Sequence, residues 1–187
     1  GGCVCSAFNR VAHRAKSSGT DTSGLGRWAW IRLQGRKIKA ATGMDPTEIE
    51  NGQPRSRDLV LVAAYRPNPP GLGDTTVWAQ HRHYWMSQRR YGDPRQLFLD
   101  DLTTEISSWR DEGCEVIVAL DANEDLTWND PTSVRQQFRR AGLKEALLTR
   151  YKQSPVATFQ MNSRNIPIDG IFTTDGVKLL NGGYYPF

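Results

Sequence analysis

No run of about 18 apolar residues occurs in the 187-residue chain, so the sequence offers no membrane-spanning helix. No pattern of charged, then apolar, then small residues opens it, so it shows no secretory signal. Cysteine is scarce: Cys3, Cys5 and Cys114 are an odd and sparse set that does not make a disulfide scaffold. The expectation is an intracellular protein, nuclear or cytoplasmic, in a reducing compartment. Repeats and long low-complexity tracts are absent. So are the Gly-rich P-loop, the Gly-x-Ser-x-Gly elbow and the His-Glu-x-x-His metal motif. The first residue is Gly1 rather than Met, and the chain reads as a fragment whose start lies upstream.

What is present describes a globular domain. Hydrophobic residues make up 38% and charged residues 24%, with 6 Trp, 6 Tyr and 6 Phe, an aromatic content that disordered chains do not carry. The length suits one domain and is too short for two, so residues 1–187 are expected to form a single, partial domain. Net charge is +4 and unevenly placed: residues 1–57 carry ten Lys/Arg against four Asp/Glu. A basic first third can attract a polyanion through phosphate neutralisation, or it can be a solvated loop region. Cys3 and Cys5 alternate with Val4 and should face one side of a strand. A Cys-x-Cys pair without His or Cys nearby is a weak zinc signal, and plain packing is the simpler reading.

Residues 2–8 read as a short strand and residues 16–26 as a loop of turn formers. Trp28, Trp30, Ile31 and Leu33 suggest a strand. Residues 43–57 are polar, hold Pro46, Gly52 and Pro54, and read as a mobile loop. Residues 59–64 are a continuous apolar run, as a strand buried on both faces requires. A Pro/Gly-rich loop over 66–74 leads to a helix over 76–88 with Val77, Trp78, Tyr84 and Trp85 on one stripe. In a second helix, over 95–112, Phe98, Leu102, Ile106 and Trp109 recur at helical spacing and Gly113 follows. Residues 115–120 repeat the buried-strand pattern. Asp130 and Pro131 read as the start of a helix that ends at Gly142. Short strands are expected at 158–159 and 168–173. Buried strands interleaved with helices place the chain in the α/β class.

Three strand ends can carry chemistry. Tyr65, Arg66 and Asn68 follow the first buried strand, and phenol, guanidinium and amide donors can together hold a phosphate. Asp121, Asn123, Glu124 and Asp125 follow the second. In α/β sheets ligands bind outside the carboxyl ends of strands. An Asp and an Asn one residue apart point the same way from an extended chain, where they can bind a divalent metal or orient a water. Asp169 lies in the third, between Ile168 and Ile171. A carboxylate there needs a partner, whether His, Arg or a backbone amide. Each cluster also has a plain structural reading as a polar turn or packed strand end. His81 and His83, two apart on a helix, do not share a face and make a poor metal pair.

In this order the motifs resemble the endonuclease/exonuclease/phosphatase superfamily, the DNase I-like fold. Tyr65-Arg66-Pro67-Asn68 is similar to its Tyr-x-Pro-Asn motif and Leu120-Asp121-Ala122-Asn123 to its Gly-Asp-Phe/Leu-Asn motif. Thr158-Phe159 and Ile168-Asp169-Gly170-Ile171 resemble its late Thr-Phe and Ile-Asp-x-Ile segments. Residues 24–28, with Tyr65-Arg66-Pro67, also resemble endonuclease-like domains of non-LTR retroelements. The resemblance spans about residues 59–172. It lacks the family's early Asn and Glu strands and its final Ser-Asp-His strand.

The resemblance implies a four-layer sandwich of two mostly antiparallel sheets flanked by helices, incomplete at both ends. It implies metal-dependent phosphodiester hydrolysis by the parent protein, with Mg2+ or Mn2+ and with DNA, rather than RNA, as partner. In that scheme Asp121 activates water and, with Asn123, holds metal. Tyr65, Asn68 and Arg66 bind the phosphate, and Asp169 orients a histidine that this chain does not contain. The chain alone is then expected to be inactive and poorly soluble. Two rivals stand beside this reading: a phosphatase of the same superfamily acting on a small phosphoester, and a non-catalytic nucleic-acid-binding remnant of a mobile element.

Overall fold

The computed structural model describes residues 2–35, 49–50, 53–54, 57–71, 73–151, 157–161 and 164–182. A one-turn helix, α1 (Asn9–Ala12), precedes β1 (Ala15–Thr20) and β2 (Trp28–Leu33). A two-stranded ribbon follows, β3 (Ile49–Glu50) with β4 (Gln53–Pro54), and then β5 (Leu59–Tyr65). Helices α2 (Val77–Ser87) and α3 (Pro94–Asp111) lead to β6 (Glu115–Asp121). After α4 (Val134–Arg140) come β7 (Lys144–Glu145), α5 (Ala146–Tyr151), the ribbon β8 (Phe159–Met161) and β9 (Arg164–Ile166), and β10 (Asp169–Thr173).

Six strands form one mixed sheet in the order β1-β2-β5-β6-β10-β7. Only β5 and β6 run parallel, because α2 and α3 carry the chain back between them. Every other pair in this sheet is antiparallel. Strand side chains alternate between faces. Val60, Val62 and Ala64 of β5 and Val116, Val118 and Leu120 of β6 are buried against α3, whose Phe98, Leu102, Ile106 and Trp109 form the expected stripe. Val134 and Phe138 of α4 extend this core, with Phe138 edge-on to Phe172 at 4.7 Å. The opposite face, with Leu61, Ala63, Ile117, Ala119 and Ile171, is only partly covered. The described residues thus build a six-stranded sheet, two small two-stranded ribbons and flanking helices, the mixed α/β arrangement expected.

Local chemistry accounts for the helix ends. Thr76 caps α2 by accepting from the Ala79 amide. Asp93 caps α3 by accepting from the Arg95 amide, with Pro94 in the first turn. Gly113 follows α3 at φ +80°, a backbone that favours glycine.

Several expectations need correction. Residues 2–8 are extended but join no ladder. They lie against β2 and β5, with Cys3 and Cys5 half-buried and Val4 exposed, so the alternation held although the strand did not form. Residues 16–20, read as loop, are the edge strand β1; pairing with β2 overrides the weak strand preference of Lys-Ser-Ser-Gly-Thr. Gly19 belongs there because the Trp30 ring lies on it, and a Cβ would meet Trp30 at 2.8 Å. Within 43–57, Ile49–Glu50 and Gln53–Pro54 pair as a ribbon; residues 43–48, 51–52 and 55–56 lie outside the described residues. Helix α4 starts after Ser133, whose side chain caps it, because the Asp130 carboxylate is engaged with the Thr132 amide. The buried face of α2 is Ala79, His81 and Trp85.

Candidate active site

The three strand ends singled out in the sequence converge. Tyr65 ends β5, Asp121 ends β6 and Asp169 opens β10. Asp121 is the register partner of Tyr65 on one side and of Asp169 on the other. Cross-strand partners point to the same face of a sheet, so the three side chains form one row across adjacent strands. The row lies on the face away from α3, since Ala64 and Leu120, one residue earlier, are in the helix-side core.

Backbone geometry sets the loops that follow. Asp121 Oδ1 accepts from the Asn123 amide at 3.2 Å, and Asn123 holds φ +47°, a conformation asparagine tolerates better than most residues. Asn123 Nδ2 donates to the Arg66 carbonyl at 2.8 Å, tying the β6 loop to the β5 loop. Tyr65 Oη donates to Asn68 Oδ1 at 3.2 Å. Thr158 Oγ1 accepts from the amides of both Ile168 and Asp169, which fixes the start of β10. Tyr65, Asn68, Asp121, Asn123 and Asp169 thus meet at one end of the sheet.

Arg66 takes a different place from the phosphate contact expected of it. Its guanidinium is buried and pairs with Glu124 at 2.6 Å. Arg95, from the first turn of α3, donates to the carbonyls of Pro67 and Asn123 and lies 3.7 Å from the same Glu124 oxygen. The other oxygen of Glu124 accepts from the Val134 amide at the start of α4. This buried cluster clamps both site loops to two helices. Arg95 was missed because nothing local marks an arginine at a helix start as buried. Glu124 was visible only as one acid in an acidic turn.

Electrostatics single out Asp121. Burial first, then the charge of Asp169, push its carboxyl above the usual aspartate range. Burial and the charge of Asp121 push the Tyr65 phenol up as well. Burial and the neighbouring Arg66 pull Arg95 down to about 10, which leaves it cationic at neutral pH. A carboxylate whose proton affinity is raised by burial and a neighbouring carboxylate is a recurring feature of functional sites.

Among the described residues no three His, Cys, Asp or Glu side chains group as metal ligands. The donors that do meet at the row are carboxylate, amide and phenol oxygens. This set suits a hard cation such as Mg2+, which is often held by one or two carboxylates and otherwise by water. His81 is buried on α2 and His83 is exposed, so the pair shares no face. All three cysteines are free thiols. No helix among the described residues is long and apolar enough to cross a membrane.

No family model and no curated protein matches the chain. Solved structures to which the chain is similar include the following. The catalytic domain of Xenopus laevis APE2 is 12% identical, with a TM-score of 0.48 over 81% of this chain and 46% of that one. The 3′-5′ exonuclease NExo of Neisseria meningitidis is 12% identical, with a TM-score of 0.43 over 80% of this chain and 68% of that one. An endonuclease/exonuclease/phosphatase family protein of Bacteroides thetaiotaomicron is 14% identical, with a TM-score of 0.38 over 79% of this chain and 41% of that one. The chain spans about half the length of the first solved structures it resembles.

Proposed function

We propose that the chain is part of a phosphodiester hydrolase of the endonuclease/exonuclease/phosphatase type, acting on nucleic acid and on DNA in particular. One observation carries the reading: Tyr65, Asp121 and Asp169 stand in register on three adjacent strands, on a face not covered by helices. In this reading Asp121, with its raised affinity for a proton, orients and deprotonates the attacking water. Asn123 holds the Asp121 loop through its bonds to Asp121 and to the Arg66 carbonyl. Tyr65 and Asn68, already joined by a hydrogen bond, present a phenol and an amide to the phosphate, where charge develops in the transition state. Asp169 raises the basicity of Asp121 from the neighbouring strand.

Asp121 and Asn123 would supply oxygen ligands to Mg2+ or Mn2+, which when bound offsets phosphate charge. Arg66, Arg95 and Glu124 keep the two loops at their spacing and do not touch substrate. The test is nicking of supercoiled plasmid by the full-length protein in magnesium. Asp121→Ala should lower turnover ~10²-fold or more, the usual scale for a positioned acid–base group. Turnover within about twofold of the unmodified protein would remove Asp121 from the chemistry.

A further inference from the structure

Five of the 6 tryptophans are engaged within the fold. Trp28, Trp85 and Trp109 are buried. Trp30 lies 5.5 Å from Trp109. Trp78 donates its indole N–H to Asp93 at 2.9 Å and has the Arg82 guanidinium 5.4 Å from its ring centre. Trp128 differs from all of them. It is 59% exposed, and its indole meets no ring, cation or hydrogen-bond acceptor among the described residues. Tryptophan is highly buried on average, and leaving so large an apolar ring in water forgoes its burial.

The loop that carries Trp128 is tied to the candidate site. The Ala122 amide donates to the Ile168 carbonyl at 2.8 Å and the Leu126 amide to the Pro167 carbonyl at 2.9 Å, so the loop follows the entry of β10 next to Asp169. Leu126 is buried. Asp125 Oδ1 accepts from both the amide and the hydroxyl of Thr127, and the Trp128 amide donates to the Asp125 carbonyl at 3.1 Å. Trp128 therefore stands at the end of the sheet where Tyr65, Asn68, Asp121 and Asp169 meet, on backbone that is already held. An aromatic face fixed in this way takes a flat partner with little ordering cost. The partner follows from the phosphate contacts assigned to Tyr65 and Asn68. A nucleotide carries a flat base beside its phosphate, whereas a phosphoester without a base gives the ring nothing to meet. Within a closed duplex each base is stacked on its neighbours, and only an unpaired base offers a free face. We propose that Trp128 is a stacking platform for an unpaired base close to the scissile phosphodiester, so that the site takes single-stranded or locally opened DNA in preference to closed duplex. The inference rests on the hydrolase reading and adds to it the strand state of the substrate. Every base has such a face, so the platform selects strand state and not sequence.

The experiment measures binding of labelled oligothymidine by fluorescence anisotropy, with the full-length protein in EDTA so that nothing is cleaved. The duplex of the same strand with oligoadenine and a strand of abasic sugars are the comparison probes. Trp128→Ala should weaken binding of the single strand about 5- to 100-fold, the scale of one base–aromatic stack, and leave the duplex and the abasic strand unchanged. Trp128→Phe keeps a ring and should restore most of the loss. Circular dichroism checks that both variants fold; if Trp128→Ala does not, Trp128→Phe and the abasic strand on the unmodified protein decide. Single-strand binding within about twofold for folded Trp128→Ala would overturn the proposal. So would an equal loss for the duplex, failure of Trp128→Phe to restore binding, or no binding of the single strand at all. Because binding is read without turnover, the two readings fail separately. Absence of nicking in magnesium removes the hydrolase and leaves the stacking measurement standing, and unchanged binding by Trp128→Ala removes the platform from an active nuclease.

Discussion

Removing Glu124 should undo the clamp beneath the site. Its carboxylate is 8% exposed and faces Arg66, itself 6% exposed, at 2.6 Å, with Arg95 3.7 Å from the same oxygen. Glu124→Ala leaves two guanidinium groups with no counter-charge in this cluster and strips the Val134 amide of its acceptor. Breaking a buried ion pair from one side costs about 3–5 kcal/mol, because the remaining charge stays desolvated. For a chain of this length, each kcal/mol shifts Tm by about 2–4 °C, so the fall should be about 6–20 °C. Urea unfolding followed by circular dichroism gives the free energy directly. Arg66→Ala should be similarly costly. The double variant should be less destabilised than the sum of the two, by about 0.5–3 kcal/mol, as expected for residues in one network. A loss under about 1 kcal/mol for Glu124→Ala, or strict additivity in the double variant, would refute the clamp.

Further outcomes follow from single side chains. Asp121→Asn should stabilise the protein at neutral pH while abolishing activity. The folded pKa of Asp121 is raised, so the ionised group costs stability as pH climbs from the unfolded value through the folded one, and urea midpoints at pH 4 and pH 7 would reveal the difference. Tyr65→Phe removes only the phenol oxygen bonded to Asn68, so the melting temperature should barely move while plasmid nicking falls; equal turnover would make Tyr65 a packed strand end. Against the upward push of burial, Lys16, the Gly35 amide and Arg32 hold Asp58 down at about 2. Its contribution is present above the ordinary aspartate pKa and lost as pH falls towards 2, so Asp58→Asn should flatten the acid limb of a stability–pH curve. Gly19→Ala places a methyl 2.8 Å from the Trp30 ring and should cost about 1–3 kcal/mol by thermal melting.

Much of the architecture was legible in the chain because it rests on local repetition. The apolar runs of β5 and β6, the stripe of α3 and the glycine that ends it are local signals that need no partner to be recognised, although both strands read as buried on two faces and are buried on one, because helices cover only that side. The candidate site residues were visible for a related reason: acids and amides directly after apolar runs mark strand ends. Pairing was not legible. Ala15–Thr20 carries no strand signal of its own and becomes a strand only because β2 offers it a ladder. The register that sets Tyr65, Asp121 and Asp169 side by side depends on a crossover through two helices and on β10 returning beside β6. Arg66 shows the limit most clearly. Its neighbours in sequence argued for a ligand contact, but its charge is stabilised by Glu124, 58 residues away, and burial of an arginine is decided by which carboxylate the fold brings to it.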